Sequence, residues 1–243
     1  MCPERSVAKM FDEKSLVFFA ETGLKKAQLG ENYPRLGDRI IILNNVITRA
    51  VELKKDKAIC FMMHKRKCDS EISELFDFDV TIRYPDEEFP LKDWRIFIEN
   101  WNSYPAKFAH WNFRNVRQIA IHEPYITYQK DAVHPARRVK NFDRILAKMA
   151  KKMGVVKTID LSVETDDIRQ AAALIKGARH HLNVNSGFLH VALRSTTPDK
   201  ITMVLPQTLR KNPALTKWMI PQLSVTNINV RCPWRAGKFL DLL

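Results

Sequence analysis

Residues 37–64 read GDRIIILNNVITRAVELKKDKAICFMMH, and the change of period inside them decides the fold. Ile40, Leu43, Ile47, Ala50 and Val51 recur at the spacing of one helix face, so 37–55 is expected to be helical. AICFMMH (58–64) is a short continuous apolar run, the pattern of a buried strand. Upstream, SLVFFA (15–20) reads as another buried strand. Downstream, SEISELF (70–76) reads as a short helix and DVTIRY (79–84) as a third strand. Strand, helix, strand, helix, strand is the order of a parallel sheet with crossover helices.

A second series follows. RQIAIHEP (117–124) is expected to be a strand, and NFDRILAKMAKKMG (141–154) a helix stopped by Gly154 after a basic last turn. KTIDLS (157–162) reads as a strand. TDDIRQAAALIKGA (165–178) reads as a helix with Asp166 and Asp167 in its first turn, where the helix dipole favours carboxylates. HHLNVNS (180–186), GFLHVALRST (187–196) and ITMVLP (201–206) then give strand, helix, strand. The fold class is therefore α/β, and two α/β halves are implied. WNSYPAKFAHWNFRNV (101–116) lacks clear periodicity and is the expected junction, which divides the chain into 1–112 and 113–243.

The chain has 243 residues, enough for one large domain or two small ones, and 45% of them are apolar, which allows a sizeable core and argues against wholesale disorder. Its 40 Lys and Arg against 27 Asp and Glu give a formal charge of +13, which favours an anionic partner such as nucleic acid, an acidic membrane face or a phosphorylated substrate. Cys2, Cys60, Cys68 and Cys232 are too few and too irregular for a disulfide framework and suit a reducing cytoplasm. The apolar part of the N-terminal segment, Leu16 to Ala20, is too short for a signal peptide or a membrane span, so a soluble or peripheral protein is expected.

The sharpest chemistry lies in HHLNVNSGFLHVA (180–192). Ser186 is a good helix N-cap, and Gly187 lets a ligand approach the backbone. The first helical turn presents N–H groups and the positive end of the dipole, a ready anion site. His190, four residues after Ser186, shares its helix face and is placed to donate to a phosphate. An ordinary capped turn with a packed histidine explains the same residues.

NVNSGFLHVA (183–192) resembles the donor-phosphate motif of the heptosyltransferase-like glycosyltransferases, glycosyltransferase family nine. LGDRIIILNNVITRAVELKKDKAICFMMH (36–64) is similar to that family's N-terminal motif, where a Gly-Asp pair begins the first helix. The resemblance implies a compact GT-B architecture, two Rossmann-like domains facing across a cleft, with acceptor bound by the first and nucleotide sugar by the second. It implies Asp38 as the base that takes the acceptor hydroxyl's proton. Lys140, Asn185, Ser186, Gly187 and His190 would bind the donor diphosphate, with Arg137 and Arg138 as helpers, and the cations would stabilise the leaving group. Separately from the resemblance, His122-Glu123 is expected to end a strand, where His122 would touch the donor nucleotide or Glu123 would only begin a turn before Pro124. HKRK (64–67) is a basic loop at a strand's carboxyl end, which is either an acceptor contact or a solvated turn; on the first reading Gly37, His64, Lys65 and Arg66 face the acceptor.

On this reading the co-substrate is a nucleotide-diphosphate sugar, with no cofactor and no metal. The acceptor is anionic, either a lipopolysaccharide-type glycan at the inner membrane face or a hydroxylated DNA base. The enzyme would be cytoplasmic, peripheral to the membrane in the first case. The sequence departs from the family pattern at Asn185, where an acid is usual, in a longer segment before Gly37, and in the absence of one strand-helix unit. A non-catalytic α/β module binding nucleotide or nucleic acid is the alternative.

Weaker signals have simpler explanations. Asp77 and Asp79 form an Asp-x-Asp pair, as metal-dependent GT-A transferases use, but they sit at a strand entrance. Cys60, His64 and Cys68 recur every four residues, yet they number three where structural zinc wants four ligands. The aromatic residues of 101–116 are interleaved with Lys107, Arg114 and Arg117, which fits base stacking. Packing at a domain junction is the commoner use of such residues.

Overall fold

The computed structural model describes residues 15–20, 36–62, 65–84, 113, 114, 116, 117, 119–132, 137–206, 229–233 and 239–241. The chain divides into two compact units, Met1–Asn115 and Val116–Leu243. No helix among the described residues is long and apolar enough to cross a membrane.

In the first unit three strands, β1 (Ser15–Ala20), β2 (Lys57–Met62) and β3 (Asp79–Arg83), form a parallel sheet in the order β1-β2-β3. Helix α1 (Leu36–Glu52) and helix α2 (Cys68–Leu75) are the crossovers. β2 is central, and its residues Ala58 to Met62 are all buried, which explains its unbroken apolar run. Helix α1 turns Ile40, Leu43, Val46, Ile47 and Ala50 into the core, each of them at most 1% exposed. Val51, expected on that face, is exposed. Phe113 packs edge-on against Phe76, with ring centroids 5.1 Å apart, and belongs to the first unit, whose boundary at 115/116 lies three residues beyond the junction expected at 112/113.

The second unit contains β4 (Tyr125–Gln129), α3 (Phe142–Met153), β5 (Lys157–Asp160), a one-turn helix α4 (Leu161–Glu164), α5 (Ile168–Gly177), β6 (His180–Val184), α6 (Gly187–Ser195), β7 (Ile201–Val204), β8 (Asn229–Pro233) and β9 (Phe239–Asp241). The strand order is β5-β4-β6-β7-β8-β9, parallel except for the antiparallel last pair. From β4 the chain steps to β5 on one side, then crosses back to β6 on the other. The switch point therefore lies between the carboxyl ends of β4 and β6, where ligands of open α/β sheets bind.

Helix α3 shows why the local sequence is helical. Phe142, Ile145, Leu146, Met149 and Ala150 make one apolar stripe, buried against Ile126, Leu182, Val184 and Val204 of the sheet. Gly154 ends the helix in the left-handed conformation, φ 62°, with its N–H on the carbonyls of Ala150 and Lys151. Asp167 caps α5 by accepting from the Gln170 N–H at 2.7 Å. Asp166 thus lies before that helix rather than in its first turn.

None of the described residues of the strand expected at 117–124 is in a strand. Residues 119, 120 and 122–124 are exposed, and the strand is the following YITYQ, Tyr125–Gln129. Its two tyrosines and its β-branched Ile126 and Thr127 are strand formers, and Pro124 marks its start.

Candidate functional site

The fully buried run HHLNV of β6 delivers Asn185 and Ser186 to the carboxyl edge of the sheet, where α6 starts at Gly187. Ser186 has the extended backbone of an N-cap, φ −139° and ψ 174°, but its side chain makes no capping bond. Its hydroxyl donates instead to Gln129 Oε1 at 2.7 Å, with Asn183 Oδ1 3.4 Å away. Gln129 ends β4, so this hydrogen bond spans the switch point. The Gln129 amide nitrogen donates to the Asp131 carbonyl, which fixes the direction of Oε1. The Leu189 N–H turns back onto the Ser186 carbonyl at 3.2 Å. The preceding N–H groups of Gly187 and Phe188 have no intrahelical acceptor, because the first turn of a helix offers none.

His190 is partly buried on α6. Burial pulls its pKa down to about 3, and the Arg194 and Arg137 guanidiniums push in the same direction. Burial therefore holds the imidazole neutral, a hydrogen-bonding group rather than a cation. Arg137, Arg138 and Lys140 lie exposed on the segment that leaves the carboxyl end of β4 and enters α3. This is the edge that also carries Ser186. Lys130, on the same segment, is paired with Asp143 at 3.3 Å.

Beneath the turn runs a buried polar stripe that the sequence reading missed. Thr127 lies opposite His181 and Gln129 opposite Asn183 in the β4–β6 register. Thr127 Oγ1 meets His181 Nδ1 at 3.0 Å. Burial, then the neighbouring His180, lowers the His181 pKa to about 3. His181 Nε2 and Asn183 Nδ2 are buried without hydrogen-bond partners. The signal was present as polar residues two apart in YITYQ and HHLNV, which share a face only if both segments are strands. Placing the strand at 117–124 concealed it.

His122 does not join this site. It is exposed and precedes β4, at the opposite end of that strand from Gln129. The error follows from the misplaced strand.

In the first unit α1 begins at Leu36, so Gly37 and Asp38 lie inside its first turn. Gly37 is buried; the Asp38 side chain and His64 fall outside what is described. The next residue, Arg39, is fully buried and pairs with Asp69 of α2 at 2.5 Å. The same carboxylate accepts from the Tyr84 hydroxyl at 2.5 Å and from the Arg66 N–H at 2.8 Å. Burial first, then the hydrogen bond to Asp69, raises the Tyr84 pKa. Beside this hub opens a cavity of about 710 Å³, lined by Lys65, Arg66, Lys67, Ser70, Ser73 and Tyr84 among others. Two of the expected acceptor residues, Lys65 and Arg66, thus border one cavity.

No three histidine, cysteine or carboxylate side chains gather into a metal-sized group among the described residues. Cys60 is buried, and desolvation raises its thiol pKa. Asp77 pairs with Arg114 at 2.7 Å on the surface.

No protein-family model matches the chain, and no curated protein does. Similar solved structures include the iron-containing dodecameric glycosyltransferase TibC from enterotoxigenic E. coli H10407, at 13% identity and a TM-score of 0.45 over 79% of this chain. A family 9 glycosyl transferase from Veillonella parvula aligns at 12% identity and 0.44, covering 79% of this chain and 80% of that one. The E. coli ADP-heptose lps heptosyltransferase II aligns at 16% identity and 0.33, covering 83% and 78%. The chain spans 58% of the length of TibC.

Proposed function

We propose that this chain is a glycosyltransferase that moves a sugar from a nucleotide-diphosphate donor to a hydroxyl of an anionic acceptor. The observation that carries this reading is the uncapped start of α6 at the switch point of the second sheet, where Ser186 is drawn onto Gln129. A diphosphate seated there accepts from backbone N–H groups at the positive end of a helix dipole. Neutral His190 adds a donor, and Arg137, Arg138 and Lys140 supply charge for the leaving diphosphate. Such cations make a metal unnecessary in the proposed reaction, and transfer in excess EDTA would test that point.

The second half of the reading assigns Asp38 as base. An acceptor hydroxyl is a weak nucleophile, and a carboxylate within hydrogen-bond reach takes its proton as the new bond forms. Lys65 and Arg66 would meet the negative charge of the acceptor, a lipopolysaccharide-type glycan or a hydroxylated DNA base. The net charge of +13 suits either. The working place would be the cytoplasm, at the membrane face for a glycan acceptor.

The test is a screen of nucleotide-diphosphate sugars for binding and turnover, repeated with Asp38→Ala. Donor turnover that disappears in Asp38→Ala while donor binding persists is the expected result. Full transfer in that variant would remove Asp38 as base. Nucleotide binding without any turnover would make the chain a binding module instead.

A further inference from the structure

We infer that Gln129 is a positioning residue that holds the Ser186 hydroxyl away from the start of α6, and so keeps the first N–H groups of that helix open to a diphosphate. The inference rests on the donor site proposed above and assigns a role there to a residue outside the motif.

A serine with extended backbone just before a helix normally turns its oxygen onto the N–H of the second or third helical residue. Ser186 has that backbone and does not make that bond. Its proton goes to Gln129 Oε1 at 2.7 Å. Gln129 is itself only 5% exposed, and its amide nitrogen is committed to the Asp131 carbonyl, so the acceptor cannot swing away without breaking a second bond. A Ser186 oxygen in the capping position would occupy the place of a phosphate oxygen.

A second buried polar side chain adjoins this turn. Asn183 lies opposite Gln129 in the register and is fully buried, and its Oδ1 is 3.4 Å from Ser186 Oγ. Its Nδ2 has no hydrogen-bond partner. An unpaired buried amide is costly, and together with the withheld cap it is a second stabilising bond forgone at the same turn. Stability alone favours a capped helix. The withheld cap follows if the turn is shaped to receive hydrogen-bond acceptors from outside the chain, and the buried Asn183 backs that turn from the core.

The experiment compares the full-length protein with Gln129→Met, Ser186→Ala and the double variant. Methionine keeps the volume of glutamine and removes the acceptor. Inorganic pyrophosphate is titrated calorimetrically, and exchange of the Phe188 amide is followed by NMR without ligand. Gln129→Met is expected to slow Phe188 exchange and to weaken pyrophosphate binding by about five- to tenfold, the equivalent of competition from one N-cap. The double variant is expected to recover the affinity of Ser186→Ala, because no hydroxyl remains to cap. A merely structural loss at Gln129 would not be rescued this way. Unchanged Phe188 exchange in Gln129→Met overturns the role of Gln129, whatever the wild-type protein binds. A double variant no better than Gln129→Met overturns it as well. Wild-type protein that binds no pyrophosphate overturns the donor-site reading itself.

Discussion

Arg39 and Asp69 form a buried ion pair 2.5 Å long, with side chains 0% and 4% exposed, between the first turn of α1 and the first turn of α2. The Asp69 carboxylate also accepts from Tyr84, past the end of β3, and from the backbone of Arg66 in the basic loop. One carboxylate thus ties together the residue next to Asp38, the loop bearing Lys65 and Arg66, and the exit of β3. Its three donors offset a desolvation cost that a bare pair would not recover.

Removing one partner strands the other charge in the core. Asp69→Ala is expected to destabilise the first unit by about 3–5 kcal/mol, read from urea unfolding. Arg39→Met combined with Asp69→Leu should recover part of that loss, since it removes the buried charge but still takes from Tyr84 and the Arg66 N–H the carboxylate they donate to. A double variant as unstable as Asp69→Ala would mean that Tyr84 and Arg66 depend on the carboxylate more than Arg39 does.

Acid should weaken the second unit through its histidines. His181 and His190 have folded pKa values near 3 against an ordinary 6.5. Between those limits the unfolded chain binds the protons and the folded one does not. Stability is therefore fully present above pH 6.5 and falls as pH drops toward 3, by up to about 1.4 kcal/mol per pH unit for each histidine. His181→Gln is expected to flatten the slope of urea midpoint against pH between 4 and 6 by about one proton's worth. An unaltered slope would show that His181 does not stay neutral in the fold.

Gly177 tests the packing of α5 on β4. A Cβ there would sit 2.5 Å from the Tyr125 hydroxyl, which donates to the Leu174 carbonyl. Gly177→Ala is expected to cost about 1–3 kcal/mol through overpacking, despite alanine's better helix propensity. Adding Tyr125→Phe removes the clashing oxygen and leaves the ring carbon at an ordinary 3.6 Å. The penalty for Gly177→Ala should then shrink, as a double-mutant cycle by thermal unfolding would reveal.

The Asp167 cap makes a simpler prediction. Its carboxylate accepts from the Gln170 N–H at 2.7 Å, so Asp167→Ala should cost about 1 kcal/mol in chemical unfolding. Asp167→Asn should retain most of the stability, because the amide oxygen can still accept.

Much of the fold was legible in the residues. The helical stripe of α3 and its stop at Gly154 follow from one apolar face, a basic last turn and a residue that tolerates positive φ. The apolar run at 58–64 announced a buried strand, which the structure places at Lys57–Met62. The failure at 117–124 has an equally local cause. Ile119 and Ile121 alternate as a strand would, but Ile119 is exposed and the partners of the sheet choose YITYQ instead. β-Propensity is mostly neighbour packing, so a short alternating run without its neighbours misleads. The same slip moved His122 to the wrong end of β4 and hid Gln129.

By itself the sequence determined what acts within a few residues: helix periods, caps, charge and the Ser186-Gly187 turn at a helix start. Only the tertiary structure decided what that turn faces. Gln129 is 57 residues from Ser186, and Asp69 is 30 from Arg39. Neither contact has a local signature, because a parallel strand order brings distant carboxyl ends together through crossovers whose lengths say nothing about which strands become neighbours. Ser186 looked like a cap because its own backbone and its successor satisfy the cap's local rules. It points elsewhere because a strand from another part of the chain offers its hydroxyl a buried acceptor.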